Sequence, residues 1–187
     1  MKTKLTTIAI IFLMMNAVVA QADLCEGFTT DPADFVDVPA VDLLPEEGYG
    51  APQPIVRGGV GYTGVSLQIG TECPGSYGEL ALCDFSSPVT GVPEDGTDLL
   101  RFGLDFWADV TINPFHMEIE LQSGAIESFT ATVNGGFVGY CAPVGETIVR
   151  VEMVGHDGTA TAIYHGGDGP VATESVRWGT VKVQYRN

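Results

Sequence analysis

Four aromatic side chains, Trp107, Tyr140, Tyr164 and Trp178, are the residues of this chain best suited to hold a ligand. Indole and phenol rings stack on the apolar face of a pyranose, while neighbouring carboxylates and amides read its hydroxyls. The competing use of such rings is core packing, which claims most aromatics in a small domain. Calcium is the metal that the acidic loops would suit, since it takes oxygen from carboxylates and backbone carbonyls. Asp95, Asp98, Asp157 and Asp168 are the calcium candidates, with Asp31, Asp34 and Glu94 as further oxygen donors. No EF-hand or RTX repeat is written, so composition alone nominates them.

Catalytic signatures are missing from the sequence. There is no G-x-S-x-G and no H-E-x-x-H. Glu118 and Glu120 share one strand face at about 7 Å, a spacing that suits neither glycosidase geometry firmly, and they are expected to be solvated. His156 and His165 flank one expected strand, whose ends lie about 20 Å apart, so they cannot share a metal ion. Both, like His116, are expected to be plain polar residues. Gly59, Gly61 and Gly64 form a formal G-x-G-x-x-G, but Val65–Ile69 after it alternates like a strand, where a nucleotide site needs a helix.

The elements that must position these groups read as β-strands. Apolar-rich runs occupy 99–107, 116–121, 128–133, 137–141 and 147–154, with Gly, Asn, Pro or Ser in each gap. Period-2 alternation puts Phe102, Leu104 and Phe106 on one face and Asp105 with Trp107 on the other. It likewise separates Met117, Ile119 and Leu121 from His116, Glu118 and Glu120, and splits Ile148, Arg150 and Glu152 from Val149, Val151 and Met153. Asn134-Gly135 reads as a hairpin turn. Further strands are expected at Ala33–Val38, Ile55-Val56, Val65–Ile69, Glu79–Phe85 and Thr159–Tyr164, the Ile55-Val56 strand at a sheet edge. Ser86–Asp98 reads as a long loop, and His165–Pro170 as a turn. No amphipathic helical run is present. About ten short strands predict an all-β fold, an antiparallel β-sandwich of jelly-roll type.

Lys2 and Lys4, the apolar run Ile8–Met15 and Ala20-Gln21-Ala22 together read as a signal peptide over residues 1–22, leaving 23–187 as one sandwich domain. The chain is thus expected to be secreted or periplasmic. No other stretch is apolar for long enough to span a membrane, so membrane insertion is not expected. The formal net charge of −16 disfavours nucleic acid and anionic surfaces as partners. Four cysteines in an exported chain imply disulfides. Of three connectivities, Cys73–Cys83 with Cys25–Cys141 is preferred. The first closes the turn-rich loop around Pro74-Gly75-Ser76, and the second ties the N-terminal segment to the 137–141 strand.

Phe102-Gly-Leu-Asp-Phe, Ser128-Phe-Thr-Ala-Thr, Gly135-Gly-Phe-Val-Gly-Tyr and Ile148-Val-Arg-Val-Glu-Met-Val-Gly resemble the C-terminal half of exported bacterial jelly-roll proteins. Many of those carry a PEP-CTERM sorting tail or resemble carbohydrate-binding modules. The likeness covers about half of the mature chain. The sequence departs from the group at Gln184-Tyr-Arg-Asn187, where no apolar anchor stands, so sorting and anchoring are not carried over. The fold pattern and the missing catalytic motifs together lead to the expectation of a non-catalytic protein with a glycan or cell-surface partner. The alternatives are an enzyme acting on polysaccharide and a structural envelope or matrix protein.

Overall fold

Short β-branched and aromatic runs punctuated by Gly and Pro build twelve strands in a computed structural model, which describes residues 25–43 and 52–167. The expected signal peptide, Asp168 and Trp178 lie outside the described residues. The strands are β1 (Gly27–Thr29), β2 (Ile55–Arg57), β3 (Val60–Thr63), β4 (Gln68–Gly70), β5 (Ala81–Cys83), β6 (Val89–Pro93), β7 (Arg101–Trp107), β8 (His116–Leu121), β9 (Ile126–Thr130), β10 (Gly135–Cys141), β11 (Ile148–Val154) and β12 (Thr159–Gly166).

Two six-stranded antiparallel sheets result, ordered β1-β10-β7-β12-β5-β4 and β2-β3-β6-β11-β8-β9. Within them, β5 to β12 have jelly-roll connectivity. The chain changes sheet at every step from β5 to β12 except at the β8–β9 hairpin. β2 is an edge strand, as its brevity and flanking prolines suggest. The core fills the space between the sheets. Phe102, Leu104 and Phe106 from one sheet meet Met117, Ile119 and Leu121 from the other, all buried. Phe106 stacks on Phe115 with ring centroids 4.5 Å apart.

Three local expectations are corrected. Residues 33–38 are not a strand: Pro32–Phe35 forms one 3-10 turn. Pro32 presets the backbone angle there, and the Asp31 carboxylate accepts the Ala33 N–H at 2.9 Å, so capping outweighs the alternating pattern. Residues 86–98 are not all loop, because Val89–Pro93 forms β6. Gly91 and Pro93 read as loop residues, yet a Cβ at Gly91 would press on the Tyr62 ring, and Pro93 stands at the strand's last position. Asn134-Gly135 is not a hairpin: β9 and β10 belong to opposite sheets, and this connection crosses the sandwich.

Both preferred disulfides, Cys25–Cys141 and Cys73–Cys83, are formed. They point to an oxidising, non-cytoplasmic setting. Among the described residues no helix is long and apolar enough to cross a membrane.

Candidate functional site

The outward side of β7 carries Arg101, Gly103, Asp105 and Trp107 in a line, because alternate residues of a strand share a face. β10 and β12 flank it on either side. β10 contributes Phe137 opposite Asp105 and Gly139 opposite Gly103. β12 contributes Ala162 opposite Asp105 and Tyr164 opposite Gly103.

The N-terminal segment covers one end of this face. Phe35 rests on a floor of Gly103 and Gly139, where added Cβ atoms would overlap its ring. Phe137 and Tyr164 meet it edge-on, with centroids 5.2 and 6.4 Å away. Arg101 closes the cover with a two-pronged pair to Asp37, both bonds 2.8 Å, and that hydrogen bonding holds the Asp37 carboxyl below the usual range. The Cys25–Cys141 bond pins the start of the segment to β10. The Cys73–Cys83 loop covers the other end. Gly75, at φ +71°, lies so flat on the indole of Trp107 that a Cβ there would overlap it.

Between the covers lie partly exposed Asp105 and Tyr164. The Tyr164 hydroxyl donates to Asp105 Oδ2 at 2.8 Å, and Thr161 Oγ1 donates to the Asp105 carbonyl at 3.4 Å. Burial, with the Asp105 hydrogen bond added, pushes the Tyr164 hydroxyl up to about 12. Two residues beyond Gly75, Tyr77 at the tip of the disulfide loop is 93 % exposed, at φ +53°. The face therefore offers one half-buried indole, one carboxylate with an oriented oxygen and a phenol, and the loop over its end carries one free-standing aromatic ring.

No protein-family model matches the chain, and no curated protein matches it.

Trp107 and Tyr164 share the face, but Tyr140 does not join them. β10 turns Val138 and Tyr140 inward, leaving Tyr140 fully buried with its ring 4.9 Å from Phe28. Burial and the facing Glu127 carboxylate push its hydroxyl up. Tyr140 is a core residue. The calcium candidates are likewise dispersed. Asp98 precedes the start of β7, whereas Asp157 precedes Thr159, which pairs with the end of β7 at Trp107. That separates them by about 20 Å, too far to share an ion. Among the described residues no three His, Cys, Asp or Glu side chains gather as a metal site.

The outer face of the second sheet is polar, and no described segment covers it. Glu118 stands directly opposite Glu152, and Arg150 bonds both Glu120 and Glu152 at 2.8 Å. Glu120 is thus bound up in an ion pair, beyond the simple solvation expected of it.

His165 was not separable from the turn residues by sequence. It is the penultimate residue of β12 and faces inward, stacked on Phe102 with centroids 5.6 Å apart. Its Nδ1 lies 3.1 Å from the Gly58 carbonyl, which can only accept, so Nδ1 carries the proton. Nε2 then accepts from the buried Tyr62 hydroxyl at 2.6 Å. Burial pushes this imidazole down to about 4. It lines a cavity of about 390 Å³ with Val41, Asp42 and Arg57, but both ring nitrogens are already engaged. The dyad is built to hold the two sheets together.

Proposed function

We propose that this chain is an exported, non-catalytic β-sandwich that binds a glycan on the outer face of β7, β10 and β12. The observation that supports it is the alignment of Asp105 and Tyr164 between two disulfide-held covers, with the half-buried Trp107 beside them under the edge of one cover. Asp105 and Trp107 are two residues apart on one strand, about 7 Å, enough to set a pyranose between a stacking ring and a carboxylate. Tyr77 offers a second ring for the next sugar. Export rests on the leader pattern at 1–22 and on the two disulfides.

A glycan array followed by calorimetry on retained polysaccharides tests this. Trp107→Ala should weaken binding about tenfold or more, as loss of a central aromatic anchor does. Tyr77→Asn should weaken it several-fold without lowering the thermal midpoint, because the ring touches no core and Asn tolerates positive φ. No retained glycan would sink the reading, and release of reducing sugar would replace it with an enzyme. A structural envelope role is the second reading, favoured by the open polar face of His116, Glu118, Glu120, Arg150 and Glu152.

A further inference from the structure

We infer that the glycan held on this face carries free amino groups, making the ligand a cationic amino-sugar polymer of the deacetylated glucosamine type. This rests on the glycan reading above and narrows it. The first ground is the supply of positive charge. Arg57, Arg101 and Arg150 are the lysine and arginine side chains among the described residues, and all three are engaged. Arg101 is closed onto Asp37 by two bonds, and Arg150 bridges Glu120 and Glu152. Arg57 donates to the carbonyls of Leu43 and Val56.

An anionic sugar would therefore bring its carboxylate or sulfate to a face whose own charge is Asp105, on a chain of net charge −16. Repulsion would meet it, and no arginine among the described residues stands ready to pair with it. A neutral sugar could donate hydroxyls to Asp105 but would gain no charge from doing so. An ammonium on the sugar ring makes the stronger, charge-assisted bond.

The second ground is the orientation of Asp105. Tyr164 anchors Oδ2 at 2.8 Å, which fixes the carboxylate and leaves Oδ1 available to a ligand. A pyranose set against the part of the indole that Gly75 leaves exposed would lie about 7 Å along β7 from that oxygen. The aromatic ring and the acid then read the two features, flat apolar face and cation, that an amino sugar combines.

The test is calorimetry with a glucosamine hexamer, its fully N-acetylated counterpart, a glucose hexamer and an oligogalacturonate. Mildly acidic buffer keeps the amines protonated, and added salt screens diffuse attraction. Asp105→Asn keeps an acceptor for the Tyr164 hydroxyl. Asp95→Asn removes the same charge from the exposed turn after β6, at the far end of the sandwich. The amino hexamer should bind about tenfold or more tightly than the acetylated one, a preference that Asp105→Asn removes and Asp95→Asn retains. Equal binding of amino and neutral hexamers would overturn the ligand class and leave the glycan reading standing. Equal loss in both variants would overturn it as diffuse charge attraction. Binding of none of these, or of the galacturonate alone, would count against the inference; only the former reaches the parent reading.

Discussion

His165 illustrates at the scale of one residue how position overrides type. Strict alternation along 159–166 from buried Ala160 would turn Tyr164 inward and His165 outward. A register shift between Ala160 and Ala162 reverses this. Ile163 and His165 then face the core, and Tyr164 reaches Asp105 on the outer side. A bulge leaves no mark in a period-2 pattern, so neither the Tyr62 contact nor the Asp105 contact was legible. The consequence is a pH dependence. An ordinary histidine near 6.5 takes up a proton in the unfolded chain, whereas the folded imidazole resists until about 4. Folding stability is therefore present above 6.5 and lost as pH falls toward 4, by about 3 kcal/mol at most. His165→Gln keeps a donor for Gly58 and an acceptor for Tyr62 but does not titrate. Urea unfolding at about pH 7 and about pH 4.5 should show an acid loss smaller in His165→Gln by about 2 kcal/mol. An identical loss in both proteins would place the titration elsewhere.

Whole elements followed the alternation wherever the ladder was regular, and departed where a glycine or a cap intervened. β7 and β8 fall where the apolar runs put them, and their buried and outward sides agree with parity. This made the Asp105–Trp107 half of the candidate site readable in advance. β11 departs because its ladder shifts between Ile148 and Arg150, so that Ile148 joins Val151 and Met153 in the core and Val149 faces out. The N-terminal cover could not be read, since its seat is made of absent side chains. Gly103 and Gly139 are 68 and 104 residues of chain from Phe35, and only their cross-strand pairing forms the floor. Gly139→Ala would drive the methyl group into the Phe35 ring, an overpacking that costs about 1–3 kcal/mol. The thermal midpoint should fall, and protease should cut within 25–43 sooner than in the wild type. Phe35→Leu in the same chain should recover part of the loss, because the two changes meet at one contact. An additive double variant would mean that Phe35 does not rest there.

Among the described residues the sandwich has one clothed face and one bare one, and two disulfides hold the clothing in place. Cys73–Cys83 joins residues 10 apart and holds Gly75 over Trp107, while Cys25–Cys141 joins residues 116 apart and fastens the N-terminal segment over Phe137 and Gly139. Their effects on stability and on binding should therefore separate. Chain entropy assigns about 5 kcal/mol to the long closure and about 3 kcal/mol to the short one. Replacing Cys25 and Cys141 by serine should lower the denaturant midpoint more, by releasing the segment that seats Phe35 and Arg101–Asp37. Replacing Cys73 and Cys83 should lower it less, yet it should damage glycan binding more, because the loop that carries Tyr77 and fixes the indole through Gly75 is freed. Denaturation curves and calorimetry on the two paired variants read both quantities. The same rank order in stability and in affinity would mean that the short disulfide is only a staple, and that the site does not depend on the loop above Trp107.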